Sequence, residues 1–114
     1  MFFTGYSNRS ANIRHYSDLD RILSGVGRRL VIIYFMASWC NSCQIIEPQL
    51  YKLASEYPSS IIVPKVDINK AKDIAMDYDI NRVPTFVFVK NHTRLDVLYG
   101  ANYEKLRATV LRLK

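Results

Sequence analysis

Apolar and polar positions along the chain predict alternating strands and helices. The longest apolar run, Leu30 to Ala37, is rich in β-branched and aromatic residues, which is typical of a strand covered on both faces. Directly after it, apolar residues recur at helical spacing from Cys40 to Tyr57. Pro48 removes one backbone hydrogen bond inside that helix. These two elements form the predicted centre of the fold.

The remaining segments repeat the two patterns. Further strands are predicted at residues 12–16, 61–68, 85–90 and 94–99. Further helices are predicted with N-caps at Ser17 and Asn102, and a short helix is predicted from Lys70. The short Asn91-His92 connection makes the last two strands an antiparallel hairpin. The order β-α-β-α-β-α-β-β-α therefore predicts an α/β protein, a three-layer α/β/α sandwich around a mixed five-stranded sheet.

The chain has the size and composition of one domain. Its 114 residues are 49% hydrophobic and 23% charged, which are values of globular proteins. Residues 1–10 fall outside the periodic pattern, so we predict a flexible tail there and a folded domain over residues 11–114. No apolar run approaches the roughly 20 residues needed to span a bilayer, so we expect no membrane segment.

The expected location is cytoplasmic. Residues 1–16 contain Arg, Ser and Asn but no acidic residue, a composition found in organelle transit peptides. A mitochondrial or other organelle location is therefore the alternative.

The net charge is positive but dispersed. Sixteen Lys and Arg residues stand against ten Asp and Glu residues, giving a formal charge of +6. No basic run of five or six residues is present, whereas nucleic-acid binding favours a dense basic patch. We therefore expect no nucleic-acid partner, and a basic surface that attracts acidic proteins.

Both cysteines lie in one short motif, Trp39-Cys40-Asn41-Ser42-Cys43, where the apolar strand ends. A disulfide scaffold usually has more cysteines at wider spacing. A structural zinc site needs four ligands, and His15 and His92 are far away in the sequence. A redox-active pair fits best, and a pair of purely structural cysteines remains the alternative.

The position of the motif assigns a role to each sulfur. At a helix N-terminus, unpaired backbone N–H groups and the helix dipole stabilise an anion, so the Cys40 thiolate is favoured as the attacking sulfur. Cys43 follows after about one helical turn and is placed to resolve a mixed disulfide formed on Cys40.

Several separated landmarks of the chain resemble the thioredoxin family. They extend from about Asn12 to Lys114 and comprise Ala37-Ser38-Trp39-Cys40, the C-x-x-C motif, Pro48, Lys65-Val66-Asp67, Tyr78, Val83-Pro84-Thr85 and Gly100-Ala101. The resemblance implies a thioredoxin fold and a thiol-disulfide oxidoreductase that reduces disulfides in protein substrates. It implies no metal or bound cofactor, and it implies thioredoxin reductase or glutathione as the reductant.

The same resemblance implies roles for residues outside the motif. Pro84 matches the cis-proline that faces the disulfide, and Val83 matches the residue whose backbone pairs with a substrate strand. The apolar rim that docks substrates would comprise Trp39, Val83, Pro84, Gly100 and Ala101.

Two departures from the family predict a differently tuned site. Asn41-Ser42 replaces the usual Gly-Pro, which frees an N–H for a hydrogen bond to sulfur and predicts a more oxidising pair. Tyr34 replaces a buried Asp that helps to move the proton of the resolving thiol. A phenol is a poor base, so we expect slower exchange through Cys43, with Lys65 left without its usual acidic neighbour.

Arg82 is the last candidate for tuning. It directly precedes Val83, so its charge is expected near the site, where it would hold Cys40 as an anion or select acidic partners. A solvated surface arginine is the alternative.

Two other functions stay open at this point. One is an oxidase or isomerase of the protein-disulfide-isomerase kind, although no signal peptide or retention tail is visible. The other is a binding module that uses the Trp39 and Val83-Pro84 surface while Tyr34 damps the redox chemistry.

Overall fold

The computed structural model describes residues 12–114, and the predicted tail at residues 1–10 lies outside them. The elements are β1 (Asn12–Ile13), α1 (Tyr16–Gly25), β2 (Leu30–Met36), α2 (Asn41–Glu56), β3 (Ile61–Ile62), β4 (Lys65–Asp67), α3 (Lys72–Asp77), β5 (Thr85–Lys90), β6 (Thr93–Tyr99) and α4 (Tyr103–Leu113). Their order confirms the predicted alternation. Within residues 12–114, no helix is long and apolar enough to cross a membrane.

The sheet is mixed, with β2 at its centre. Its order is β1-β4-β2-β5-β6. Strands β1, β4 and β2 are parallel to one another, β5 is antiparallel to β2, and β6 is antiparallel to β5. The single strand predicted over residues 61–68 is divided into β3 and β4, which both pair with β2. Pro64 lies in the gap and has no N–H for the ladder, but its carbonyl accepts the N–H of Tyr34 at 2.9 Å. The sheet therefore has six strands in five positions, because β3 and β4 share the position next to β2.

Alternate side chains of β2 enter two separate cores, one on each face of the sheet. Ile32 and Tyr34 pack with Leu50 of α2 and with residues of α4. Ile33 and Phe35 pack on the other face with residues of α1 and α3. All seven residues of β2 are buried, so this strand contributes apolar burial to both layers. The three-layer sandwich is thus confirmed.

Helix α1 begins one residue before the predicted cap. Its first residue is Tyr16 and its N-cap is His15, so the prediction of Ser17 as the N-cap is wrong. The carboxylate of Asp18 accepts backbone hydrogen bonds from Arg14 and His15, each at 3.1 Å. These bonds lower the pKa of Asp18, because they stabilise its charged form. The reach of Asp18 back to the cap, and not the serine hydroxyl, defines the start of the helix.

The β5–β6 hairpin returns the chain to the end of the sheet where α2 begins. Asn91 and His92 both have positive φ, 52° and 63°, which suits the tight turn between two twisted strands. At the far end of β6, the N–H of Gly100 donates to the carbonyl of Pro84 at 2.9 Å. The hairpin therefore joins two segments that are widely separated in the sequence.

Candidate active site

The two cysteines form a disulfide at the N-terminus of α2. Cys40 is the N-cap residue, and its Sγ accepts the backbone N–H of Cys43 at 3.1 Å. Cys40 has 5% of its surface exposed and Cys43 has none. Of the two sulfur-bearing residues, only Cys40 has surface that an approaching molecule can contact.

The residues between the cysteines face solvent. Asn41 and Ser42 are both exposed, and the Ser42 hydroxyl lies 3.5 Å from Cys40 Sγ. Cys40 Sγ thus has this side-chain hydroxyl as a polar neighbour besides the backbone N–H of Cys43. The position of the hydroxyl adds a second group, besides the Cys43 N–H, that can stabilise negative charge on Cys40.

Trp39, directly before Cys40, projects into solvent. It is 67% exposed, which is high for the one tryptophan of the chain. The loop that carries it is fixed by the side-chain amide of Gln44, which donates to the carbonyl of Ser38 at 3.1 Å. A large exposed ring on a tethered loop is available for contact with another molecule.

The Val83–Pro84 peptide bond is cis, as the resemblance implied. Pro84 is buried, and Val83 packs against the core cluster that contains Cys40 and Cys43. Gly100, hydrogen-bonded to Pro84, has a φ of 90°, a conformation that other residues rarely adopt. Ala101 follows it and is exposed. Two of the predicted rim segments are thus in direct contact with each other.

Arg82 lies beside this rim. Its side chain is exposed, and its guanidinium lies 5.4 Å from the centre of the Tyr99 ring. The carbonyl of Arg82 accepts the hydroxyl of Thr85 at 2.7 Å, which fixes the backbone before the cis bond. Its effect on the Cys40 thiolate stays a prediction.

Tyr34 is fully buried beneath the cysteine turn. Its hydroxyl donates to Glu47 Oε1 at 2.9 Å and lies 3.3 Å from the carbonyl of Cys43. Its ring stacks on Phe86 at 5.5 Å between centroids. Burial, and then the charge of Glu47, raise the pKa of Tyr34 far above its usual value. The phenol therefore remains protonated and acts as a hydrogen-bond donor.

Lys65 has an acidic neighbour, contrary to the prediction from the sequence. Its Nζ lies 3.0 Å from Glu47 Oε2, and each side chain is 24% exposed. The prediction failed because it considered only the strand position of Tyr34, whereas the carboxylate comes from α2. One signal was available: Glu47 follows Cys43 by four residues, so both lie on the same face of a helix.

A surface cleft of about 890 Å³ opens beside this cluster. The cleft is lined by Cys43, by the Glu47–Lys65 ion pair, and by further polar and apolar side chains: Met36, Ala37, Ser38, Gln44, Pro48, Tyr51, Lys52 and Ser55. Glu47 is the one acidic residue among those described here as lining the cleft. Cys43 therefore borders the cleft although none of its surface is exposed to solvent.

The arrangement suits thiol-disulfide exchange. Across residues 12–114, no group of three or more His, Cys, Asp or Glu side chains is placed to hold a metal ion. The cysteine pair needs no metal for exchange, because a thiolate attacks a disulfide sulfur directly.

Comparisons with known proteins identify relatives over nearly the whole domain. The family model "Thioredoxin" matches residues 15–112. Thioredoxin-T of Drosophila melanogaster is 42% identical over 94 residues, which cover 82% of this chain and 60% of that longer protein. Thioredoxin of Equus caballus is 35% identical over 98 residues, covering 86% of this chain and 92% of the relative.

Solved structures share the fold. Thioredoxin of Fasciola hepatica is similar with a TM-score of 0.86 at 35% identity, covering 90% of this chain and 98% of the other. The germline-specific thioredoxin Deadhead of Drosophila melanogaster also has a TM-score of 0.86, at 30% identity, with coverages of 91% and 99%. The similarity of fold therefore extends over about nine-tenths of this chain.

Proposed function

The chain belongs to the thioredoxin family, and on that premise we propose that Cys40 attacks disulfides of partner proteins and that Cys43 resolves the mixed disulfide. As a member of that family, the protein is a thiol-disulfide oxidoreductase with a paired Cys40–Cys43 centre. The observation that carries the assignment of roles is the placement of Cys40 as the N-cap of α2, with the fully buried Cys43 behind it.

The reaction follows from that placement. The Cys40 thiolate attacks one sulfur of the partner's disulfide, forming a mixed disulfide and releasing the other partner sulfur as a thiolate, which takes a proton from solvent. Cys43 then attacks Cys40 Sγ, the bond to the partner breaks, and the electron pair leaves with the second partner sulfur. The partner disulfide is reduced to two thiols while Cys40 and Cys43 are oxidised to a disulfide.

Trp39, Val83, Pro84, Gly100 and Ala101 form the docking rim in this proposal. Support comes from the exposed Trp39, from the hydrogen bond between Gly100 and Pro84, and from the contact of Val83 with the cluster that contains both cysteines. A substrate strand laid on this rim would present its disulfide to Cys40.

Thioredoxin reductase or glutathione returns the pair to the dithiol in this proposal. A similar structure, at a TM-score of 0.83 and 26% identity, concerns the resolution of a yeast mitochondrial 1-Cys peroxiredoxin by glutathione/thioredoxin systems. Mitochondrial thioredoxin 3 of Saccharomyces cerevisiae is another similar structure, at 27% identity. We propose a cytoplasmic location, with the mitochondrion or another organelle as the alternative.

Insulin reduction tests the proposal. The wild-type protein with a thiol reductant should reduce insulin, Cys40→Ser should be inactive, and Cys43→Ser should accumulate a mixed disulfide with insulin that gel electrophoresis without reductant detects. The absence of turnover by the folded wild-type protein would favour a binding module. Trapping of the partner by Cys40→Ser in place of Cys43→Ser would reverse the two roles.

A further inference from the structure

Glu47 occupies a position that suits proton transfer for the resolving step. It lies on α2 one helical turn beyond Cys43, and both residues line the same cleft. Its two carboxylate oxygens are held separately, Oε1 by the hydroxyl of Tyr34 at 2.9 Å and Oε2 by Lys65 at 3.0 Å. A carboxylate fixed at both oxygens in a partly buried site has a defined direction toward the cleft.

The second half of the exchange requires a proton acceptor. Cys43 is fully buried, and as a thiol it must lose its proton before it can attack Cys40 Sγ. Burial in apolar surroundings disfavours a thiolate, so the step gains from a base close to the sulfur. The base must lie within hydrogen-bond reach of the thiol or reach it through one water molecule.

Three titratable side chains, those of Tyr34, Glu47 and Lys65, form a hydrogen-bonded cluster beside Cys43. Tyr34 lies directly beneath Cys43, but its phenol remains protonated because burial and the charge of Glu47 raise its pKa. Lys65 is a donor and faces Glu47. Glu47 is the one acidic side chain among the described residues of the cleft, and at neutral pH a carboxylate is an acceptor.

We propose that Glu47 is the general base of the resolving step, receiving the Cys43 proton through a water molecule in the cleft that both residues line. Tyr34 and Lys65 are positioning residues that hold the carboxylate. This inference rests on the proposed roles of Cys40 and Cys43.

The step balances without another reactant. The proton of the Cys43 thiol passes to Glu47, the Cys43 thiolate forms a bond to Cys40 Sγ, and the bond between Cys40 Sγ and the partner sulfur breaks. The partner leaves as a thiolate, and the protonated Glu47 returns its proton to solvent or to that leaving sulfur.

A stopped-flow experiment separates the two halves of the exchange. The reduced protein is mixed with an equimolar amount of dithiobis-nitrobenzoate, which releases one coloured thiolate when Cys40 attacks and a second when Cys43 resolves. Two phases in the wild-type protein, with the second lost in Cys43→Ser, test the roles of the cysteines independently of Glu47.

Glu47→Gln tests the base, because it keeps the size of the side chain and a carbonyl oxygen for Tyr34. Near neutral pH, the second phase should slow by about tenfold or more, and the first should change less than about twofold. The difference should narrow at alkaline pH, where hydroxide can accept the proton in place of Glu47. Glu56→Gln, an exposed change on the same helix, is the matched control and should alter neither phase.

Other outcomes would overturn the proposal. An unchanged second phase with the wild-type pH profile in Glu47→Gln would exclude Glu47 as the base. Tyr34→Phe keeps the carboxylate, so its second phase should retain the wild-type pH profile. A second phase as slow as that of Glu47→Gln would instead make the Tyr34 phenol the proton acceptor. If Glu47→Gln lost the first phase too, Glu47→Asp would decide. This variant keeps a carboxylate, so its second phase should keep the wild-type pH profile, and loss of that profile would contradict the role of Glu47.

Discussion

The phenol of Tyr34 and the carboxylate of Glu47 are joined by a 2.9 Å hydrogen bond between the central strand and the helix that carries both cysteines. Tyr34 is fully buried, whereas Glu47 also borders the cleft. The bond therefore links the base of the cysteine turn to a charged group at the surface.

Replacing Tyr34 by Phe should destabilise the oxidised protein by roughly 1–2 kcal/mol. The change removes a hydrogen bond to a charged group but leaves the ring stacked on Phe86, and Glu47 can recover part of the loss by hydration from the cleft. Urea unfolding measures the difference. Tyr99→Phe, at an exposed phenol, is the control and should stay within about 0.5 kcal/mol of the wild type. An equally small effect of Tyr34→Phe would show that the buried bond contributes little.

The Asn41-Ser42 pair should make the centre more oxidising than a typical thioredoxin. We expect a reduction potential above about −270 mV, and a return toward that value when Asn41→Gly and Ser42→Pro are combined. Equilibration with glutathione buffers measures both. Ser42→Ala removes the hydroxyl that lies 3.5 Å from Cys40 Sγ but keeps the backbone N–H that proline lacks. It therefore measures the contribution of the hydroxyl to the potential by itself. A wild-type potential near −270 mV would refute the prediction.

Arg82 should favour the Cys40 thiolate, because its cationic side chain lies beside the docking rim. In a Cys43→Ser background, Arg82→Ala should move the titration of Cys40, followed by ultraviolet absorbance, to higher pH, because a nearby cation stabilises the thiolate. Arg94→Ala is a matched control, since Arg94 is also exposed and lies 4.7 Å from an aromatic ring, that of Tyr78. Coincident curves for all three proteins would assign Arg82 to the solvated surface.

Asp18 should make the stability of the protein depend on acid. Its backbone hydrogen bonds lower its pKa below the reference value of 3.8, so its contribution is present above that value and is lost as the pH falls through the lower folded-state pKa. Asp18→Asn should lower the urea midpoint of unfolding at neutral pH. In strong acid, the midpoints of the variant and the wild type should be closer together. Asp20→Asn, at an exposed residue of the same helix, is the control and should change the urea midpoint less.

Much of the fold followed from local patterns. The β-branched run of β2 and the helical periods of α2 and α4 predicted elements that the structure contains, because period and burial are properties of short segments. The start of α1 did not follow, since serine is a good N-cap residue and only the bonds from Arg14 and His15 to Asp18 place the cap at His15. The division at Pro64 was similarly hidden: a missing donor can be tolerated or can interrupt a strand.

The sequence by itself determined the cysteine turn of Trp39-Cys40-Asn41-Ser42-Cys43, because a strand, a helix start and two sulfurs are adjacent in the chain. Only the tertiary structure decided what surrounds that turn. Glu47, Lys65 and Tyr34 come from α2, β4 and β2, and each has an ordinary local role in its own element. Their contact depends on how α2 packs on the sheet. The spacing of apolar residues within one segment predicts that segment's own structure, but not which side chains of other segments it will contact.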